Sequence, residues 1–427
     1  MKKDYLPEIV TIIIILGSVF LSFFIEPATA IGFVVGAYYM LFGTDIGCYS
    51  LLLFLFPYAE IFDINLIPTS LFTLLEIAFV GRKFLLDAIN GKAYSISIYL
   101  YIFYCAVVSL FTKNFSVIEL IKQAMNFLLC YFFITDYKEE RMEEYVVFYC
   151  MGNMTSAIMG LWKESIPGFI LTYDRDLVYE WINGVRTLRF SATFNDPNFY
   201  TISVITSLGL IICLFMSGKG KTIHLLLATA IAVMALQTYS KSYLLMLVAL
   251  FVLVIYLLYK HRKTGIILGC AVCGTLLLLS GAFQGSTAIQ GILSRFSQKS
   301  YAKEDSVINQ LTSGRWEIWT MYFDYMTSDV FRFLFGNGIS VDYYHGKATH
   351  NFLVELWYYL GLIGSCLYFY TVSDILSSRK LIKRRLVNGF LLIMVIAMLL
   401  FLAIYKNSEM PFYLIASWIA LNTQLLP

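Results

Sequence analysis

Residues 198–217 read NFYTISVITSLGLIICLFMS. The run carries no charge over roughly 20 positions, the length a helix needs to cross the hydrocarbon core of a bilayer. Asn195-Asp196-Pro197 precedes it, a turn sequence that leads into a helix with proline near the first turn. Lys219 and Lys221 follow it. Backbone groups in hydrocarbon must be satisfied within the segment, so the run is helical despite its strand-forming Val, Ile, Tyr and Phe.

The same pattern fills the chain outward from this run. Hydrophobic residues make up 59% and charged residues 14%, with a mean hydropathy of +0.73. A soluble domain carries about 25% charge. The 427 residues could form two or three soluble domains, but too few charges remain to cover them. Lipid is therefore the solvent for most of the chain. The net charge of +3 is near neutral and gives no sign of a nucleic-acid partner. Apolar windows lie near 7–25, 27–43, 46–62, 66–86, 94–112, 116–135, 143–162, 198–217, 222–239, 242–259, 264–283, 351–372, 388–405 and 411–426. The expectation is an all-α polytopic membrane bundle of about 14 (12–14) transmembrane helices, with residues 1–427 as a single membrane domain. The second, third and fourteenth windows are the shortest.

Lys and Arg in short connections set the orientation. With the N-terminus in the cytoplasm, Lys2, Lys3, Arg82, Lys83, Lys92, Lys138, Arg141, Lys219, Lys221, Lys260, Arg262, Lys263 and the run Arg379–Arg385 all fall inside. Only Lys113, Lys241 and Lys406 fall in short external connections. The start of the chain resembles a signal peptide, with Ala28-Thr29-Ala30 as a cleavage-like site. The next segment is also apolar, so an uncleaved first helix is expected. All eight cysteines lie in apolar stretches, and no structural disulfide is expected. Cys270 and Cys273 form a C-x-x-C, but no charged or histidine partner stands near them in sequence, and they read as packing residues.

Two external loops are long, residues 163–197 and 284–350. Long loops are uncommon unless functional. The first ends in Arg186 and Arg189 ahead of Asn195-Asp196-Pro197-Asn198. The second contains Ser313-Gly314-Arg315, after which Trp316, Trp319, Tyr322, Phe323 and Met326 recur at helical spacing. That pattern predicts an amphipathic helix on the external membrane surface, with free amides and Arg315 at its start as a phosphate site. Phe335-Gly336-Asn337-Gly338 makes a tight turn, and His350-Asn351 opens the next span in the pattern H-N-x9-G-x-x-G, ending on Gly361 and Gly364. Those glycines permit close helix packing. Glu355 falls on the same helix face as Asn351. Tyr239-Ser240-Lys241-Ser242 forms a short external turn. His224 and His261 adjoin cytoplasmic basic clusters and read as interfacial residues. Each element also has a plain structural reading: an arginine facing lipid phosphate, an interfacial histidine, a loop lysine.

Taken in order, Arg189…Pro197-Asn198, Ser240-Lys241, Ser313-Gly314-Arg315…Trp319, Gly336-Asn337-Gly338 and His350-Asn351-x9-Gly361-x-x-Gly364 resemble the O-antigen ligase/polymerase superfamily. Two positions depart from its pattern. Ala192 stands where the family often has glycine, and Lys241 where it often has arginine. The resemblance implies a GT-C-like membrane glycosyltransferase of the bacterial cytoplasmic membrane, active on its outer face. The implied donor is an undecaprenyl-pyrophosphate-linked oligosaccharide, with no cofactor or metal, and with flippase and chain-length regulator proteins as possible partners.

In that chemistry Arg189 and Arg315 would stabilise the pyrophosphate leaving group, and His350 would act as general base or position the acceptor. Arg186, Lys241, Asn198, Asn351, Tyr343 and Tyr344 are substrate-binding candidates, the tyrosines as platforms for sugar faces. Polymerisation of repeat units is the preferred activity, since nothing in the chain is specific to a lipid A core acceptor. Ligation to such a core shares donor and site and is the alternative within the family. A flippase or secondary transporter is the alternative outside it, although transporters place their polar groups near the bilayer midplane.

Overall fold

The computed structural model describes residues 5–22, 24–25, 28–59, 70–162, 179–182, 185–260, 314–378, 396 and 409–423. The window near 264–283, nearly all of that near 388–405, the Cys270/Cys273 pair, the Arg379–Arg385 run, Ser313 and much of both long loops lie outside these residues. The helices are α1 Leu6–Ser22, α2 Thr29–Phe42, α3 Asp45–Leu55, α4 Leu71–Ile89, α5 Ile96–Phe111, α6 Val117–Asp136 and α7 Met142–Gly160. A hairpin of β1 Tyr179–Ile182 and β2 Val185–Leu188 follows. Then come α8 Pro197–Met216, α9 Thr222–Leu236, α10 Lys241–Lys260, α11 Arg315–Thr327, α12 Val330–Phe335, α13 Phe352–Ser377 and α14 Met410–Asn422.

Many of the helices begin on a residue chemically suited to the place. Thr44, Ser70, Ser95, Ser116, Asp196, Asp329 and Asn351 each accept a hydrogen bond from a first-turn amide. Side-chain oxygens at this position satisfy amides that have no partner within the helix. One short hairpin stands beside the helices among the described residues. Its strands pair antiparallel, with Trp181 opposite Arg186. In the sequence the strands flank Asn183-Gly184, a dipeptide strongly favoured between hairpin strands.

Among the described residues α6, α8 and α13 are long and apolar enough to cross a membrane. Others are shorter; α3, at 11 residues, spans only about 16 Å. α8 is the centre of the bundle, with 83% of its apolar window buried. It packs against α7, α9, α10 and α14. Asn153 of α7 fixes the α7–α8 contact by donating to Ser207 Oγ at 3.1 Å and accepting from Ser203 Oγ. Such bonds join helices where the surroundings offer no hydrophobic drive. Outside, Leu6, Ile13, Val34, Phe103, Leu226 and Leu245 stand exposed on α1, α2, α5, α9 and α10. An apolar surface this extensive suits lipid rather than water.

The two ends of the bundle differ. At one, Asp45 meets Arg82 and Lys83, and Lys83 also meets Asp136. Neighbouring bonds run from Tyr49 to Asp136, Ser50 to Glu144 and Lys219 to the Glu139 carbonyl. The connections α2–α3, α6–α7 and α8–α9 therefore share an end with the C-terminal part of α4. The opposite end gathers residues 189–198, the α9–α10 turn and the segment that leads into α13.

α13 is broken at Gly361, which has φ 65° and ψ −174°. A Cβ there would lie 2.4 Å from the Leu334 carbonyl carbon, so only glycine lets α12 approach. The carbonyls released by the break are taken up. Asn337 and Gly338 amides donate to Tyr358 and Tyr359 at 3.1 and 2.9 Å, and the Tyr104 hydroxyl donates to Leu360 at 2.8 Å.

α11 corrects one expectation. At 100° per residue its aromatic and Met positions cover an arc of about 120°. The arc divides. Tyr322 and Met326 are buried, and Trp319 donates to the Thr349 carbonyl at 2.9 Å. Trp316 and Phe323 at the other edge stay exposed. Tyr322 and Met326 are thus protein core, docked on α12 and α13, and the outward face narrows to the edge with Trp316 and Phe323.

Candidate active site

Residues 189–198 cross from the hairpin to α8 over the α9–α10 turn. Phe190 N donates to Gln237 O at 3.1 Å, and Arg189 Nε to Thr238 O at 2.9 Å. Arg189 is buried by this contact, at 8% exposure. The Thr193 hydroxyl is held by Pro57 and Ser156. Asp196 caps α8, accepting from Asn198 N at 2.6 Å, with Pro197 as the first helical residue. Ser240 Oγ then donates to Asn198 Oδ1 at 3.2 Å, and Ser240 Oγ itself accepts from Tyr243 N. Lys241 is the first residue of α10, directly after that cap. Arg189 and Asn198 are therefore joined through Thr238 and Ser240, and Lys241 follows Ser240 in the chain.

The second half comes from the segment before α13. Asn351 Oδ1 accepts from Leu353 N and Val354 N at 3.0 and 3.2 Å. This commitment makes Asn351 the cap that fixes the turn holding His350. Thr349 Oγ1 accepts from Asn351 N at 3.2 Å and lies 3.4 Å from Glu355 Oε2, which is fully buried. His350 Nδ1 then stands 4.0 Å from Asp196 Oδ2, which joins the two halves. Arg315 opens α11 after Gly314, whose φ of 81° turns the chain into the helix. Its charge acts on the imidazole.

His350 titrates below the ordinary histidine value of about 6.5. Burial is the main cause and the Arg315 charge the second, while Asp196 opposes them. The ring is 32% exposed, but Nδ1 itself is shielded. A neutral imidazole beside an arginine can accept a proton at neutral pH while the cation holds an anion.

Three residues around the site adopt left-handed backbone without being glycine: Ala192 (φ 51°), Tyr239 (φ 51°) and His350 (φ 45°). Each costs about 1–3 kcal/mol and persists only where surroundings enforce it. Ala192 thus takes up the conformation that glycine favours.

Other candidates lie apart or are occupied. Arg186 sits on β2, three residues before Arg189. Tyr343 lies beside the Glu355 carboxylate, and burial followed by that carboxylate raises its phenol above the ordinary range. Tyr344 stacks on Tyr325 with centroids 4.1 Å apart, so one of its faces is already covered. Tyr322 bridges the Tyr344 amide and the Lys347 carbonyl at 2.9 and 2.7 Å, and burial pushes its hydroxyl up to about 12. These tyrosines pack the segment that presents His350. Two participants escaped sequence reasoning. Asp196 reads there only as a turn residue, and nothing in the sequence marks Thr238 as the acceptor for Arg189.

Among the described residues no cluster of three or more His, Cys, Asp or Glu side chains could hold a metal ion. No protein-family model matches the chain, and neither a curated protein nor a solved structure matches it.

Proposed function

We propose that the chain is a membrane glycosyltransferase that polymerises undecaprenyl-pyrophosphate-linked oligosaccharide repeat units into a surface polysaccharide, O-antigen or capsule. The observation that carries this reading is the approach of His350 Nδ1 to Asp196 Oδ2 at 4.0 Å, which sets the histidine before α13 against the cap of α8, while burial and the Arg315 charge favour the neutral imidazole. In the reaction an acceptor hydroxyl attacks the anomeric carbon of the donor. The glycosidic C–O bond forms as the C–O bond to pyrophosphate breaks. His350 takes the hydroxyl proton, and Arg189 and Arg315 stabilise the charge that grows on the departing pyrophosphate.

In this reading the bundle has about 14 spans and lies in the bacterial cytoplasmic membrane. Its basic connections face the cytoplasm and the site faces outward. The separation of the ion-paired end from the His350 end supports that orientation. Partner flippase and chain-length regulator proteins belong to the same proposal.

The break at Gly361 is the feature a transporter reading would draw on, since broken helices form transporter sites. Here the Tyr358, Tyr359 and Leu360 carbonyls are already hydrogen-bonded within the protein. That favours an enzyme. Purified protein given a lipid-linked repeat unit is expected to lengthen it and release undecaprenyl pyrophosphate. Transbilayer movement of the lipid without extension would replace this function with transport. Transfer of a finished glycan only to a lipid A core would replace it with ligation.

A further inference from the structure

A groove of about 810 Å³ lies where α1, α3 and α7 meet, with its polar rim at the end of the bundle opposite His350. Its walls are apolar, with Ile9 and Ile13 of α1 facing Phe148 and Met151 of α7. Ile9, Ile13 and Met151 are also exposed at the outer surface, so the groove opens sideways. Its lining along α7 runs from Glu143 to Thr155. At 1.5 Å per residue that is about 18 Å. One leaflet of a bilayer contributes about half of the 30 Å hydrocarbon core, roughly 15 Å. The groove is therefore as deep as a single leaflet.

Its polar end has a particular charge pattern. Lys221 and Glu143 form an ion pair at the rim, with side chains 62% and 31% exposed, while Glu144, which also lines the groove, is buried and paired with Arg141. A positive and a negative group side by side complement a headgroup that carries both a phosphate and an ammonium. At the deep end the Thr155 hydroxyl is already bonded to Tyr58 and to the Met151 carbonyl, so it asks nothing polar of an occupant.

We infer that this groove binds one zwitterionic aminophospholipid from the surrounding bilayer, its acyl chain between α1 and α7, its phosphate on Lys221 and its ammonium on Glu143. Since this end carries the ion-paired connections, the lipid belongs to the leaflet opposite the candidate active site. The inference does not depend on the reaction proposed above. Rigid α1–α7 packing through a bound lipid would stabilise the folded protein by mass action.

Native mass spectrometry of the full chain in mild detergent, titrated with phosphatidylethanolamine or phosphatidylglycerol, tests the site. One phosphatidylethanolamine is expected to stay bound, at least ten-fold more tightly than phosphatidylglycerol. Glu143→Gln, which removes the partner of the ammonium, is expected to erase that preference, and Lys221→Ala, an exposed change, to weaken both lipids. Met151→Trp or Ile13→Trp, which fill the groove from opposite walls, are expected to weaken the adduct ten-fold or more, each checked as monodisperse by size exclusion. Equal binding of the two lipids, an adduct untouched by Lys221→Ala and by whichever groove-filling variant folds, or a polyprenyl phosphate retained in place of phospholipid would each overturn the assignment.

Discussion

His350 Nδ1 faces Asp196 Oδ2 at 4.0 Å, so the histidine before α13 meets the carboxylate that caps α8. Burial and Arg315 hold the imidazole below its ordinary value, and Asp196 raises it. A general base works unprotonated, so activity is expected to be level at neutral pH and to fall as pH drops through that lowered value. Asp196→Asn removes the raising influence while keeping a good cap for α8. Its acid limb should move to still lower pH in a profile of kcat/KM on a lipid-linked repeat. A limb that stays put or moves upward would assign the titration to another group.

Arg189 and Arg315 should differ from Lys241 in how much they matter. Removing a charged group that stabilises the leaving group costs about 10²-fold or more in turnover. Arg315→Ala and Arg189→Ala are expected in that range, and Lys241→Ala nearer ten-fold. Arg189→Lys should not rescue, because Arg189 already spends Nε on the Thr238 carbonyl and lysine has no fork to span both roles. Polymer length in cells at matched protein level, together with turnover of purified protein, measures this. Wild-type polymer from Arg315→Ala and His350→Ala would remove both from the site.

Local signals carried much of the fold. The windows near 116–135 and 198–217 became helices because apolar length and capping residues such as Ser116 and Asp196 agree. The order of motifs singled out Arg189, Arg315 and His350, which the fold sets on segments at one end of the bundle. What stayed hidden was relational. No local rule pairs Asp196 with His350, since only tertiary packing brings those segments together. Trp316 and Tyr322 look alike in a helical pattern, yet the docking of α11 on α13 buries one and exposes the other. Tyr344 has a sugar-stacking ring in sequence, but Tyr325 occupies one face of it. The hairpin did leave a signal, Asn183-Gly184, but four-residue strands are too short to show a convincing alternation.

Ala192 offers a test of backbone strain near the site. It is fully buried, with φ 51°. Glycine relieves a left-handed penalty of about 1–2 kcal/mol but adds about 0.4–1 kcal/mol of freedom to the unfolded chain. Ala192→Gly is therefore expected to leave stability within about 1 kcal/mol of wild type, on the favourable side. Ala192→Val forces a β-branched side chain into the same conformation with no space to relax, and should lose about 3 kcal/mol or more. Thermal unfolding in detergent compares them. A valine variant as stable as wild type would mean that residues 189–196 do not take this turn.

Gly361 sets the break that lets α12 and the Gly336-Asn337-Gly338 turn seat against α13. Its φ of 65° and ψ of −174° fall where essentially only glycine goes. An added Cβ would also press on backbone, 2.4 Å from both Leu334 C and Phe335 N, where nothing flexible can yield. Gly361→Ala is expected to cost more than about 3 kcal/mol and to release the Asn337 and Gly338 amides from α13. Gly364, the other glycine of the motif, has ordinary helical backbone, and its added Cβ would first meet the edge of the Tyr104 ring at 2.4 Å. Leu360 Cβ would also lie 2.6 Å away, but helical backbone spares alanine the strain of a positive φ, so Gly364→Ala should be the milder change. Melting temperature and hydrogen exchange of the Asn337 and Gly338 amides separate the two. If Gly364→Ala proved as damaging as Gly361→Ala, the motif would be serving helix packing, with no special part for the break.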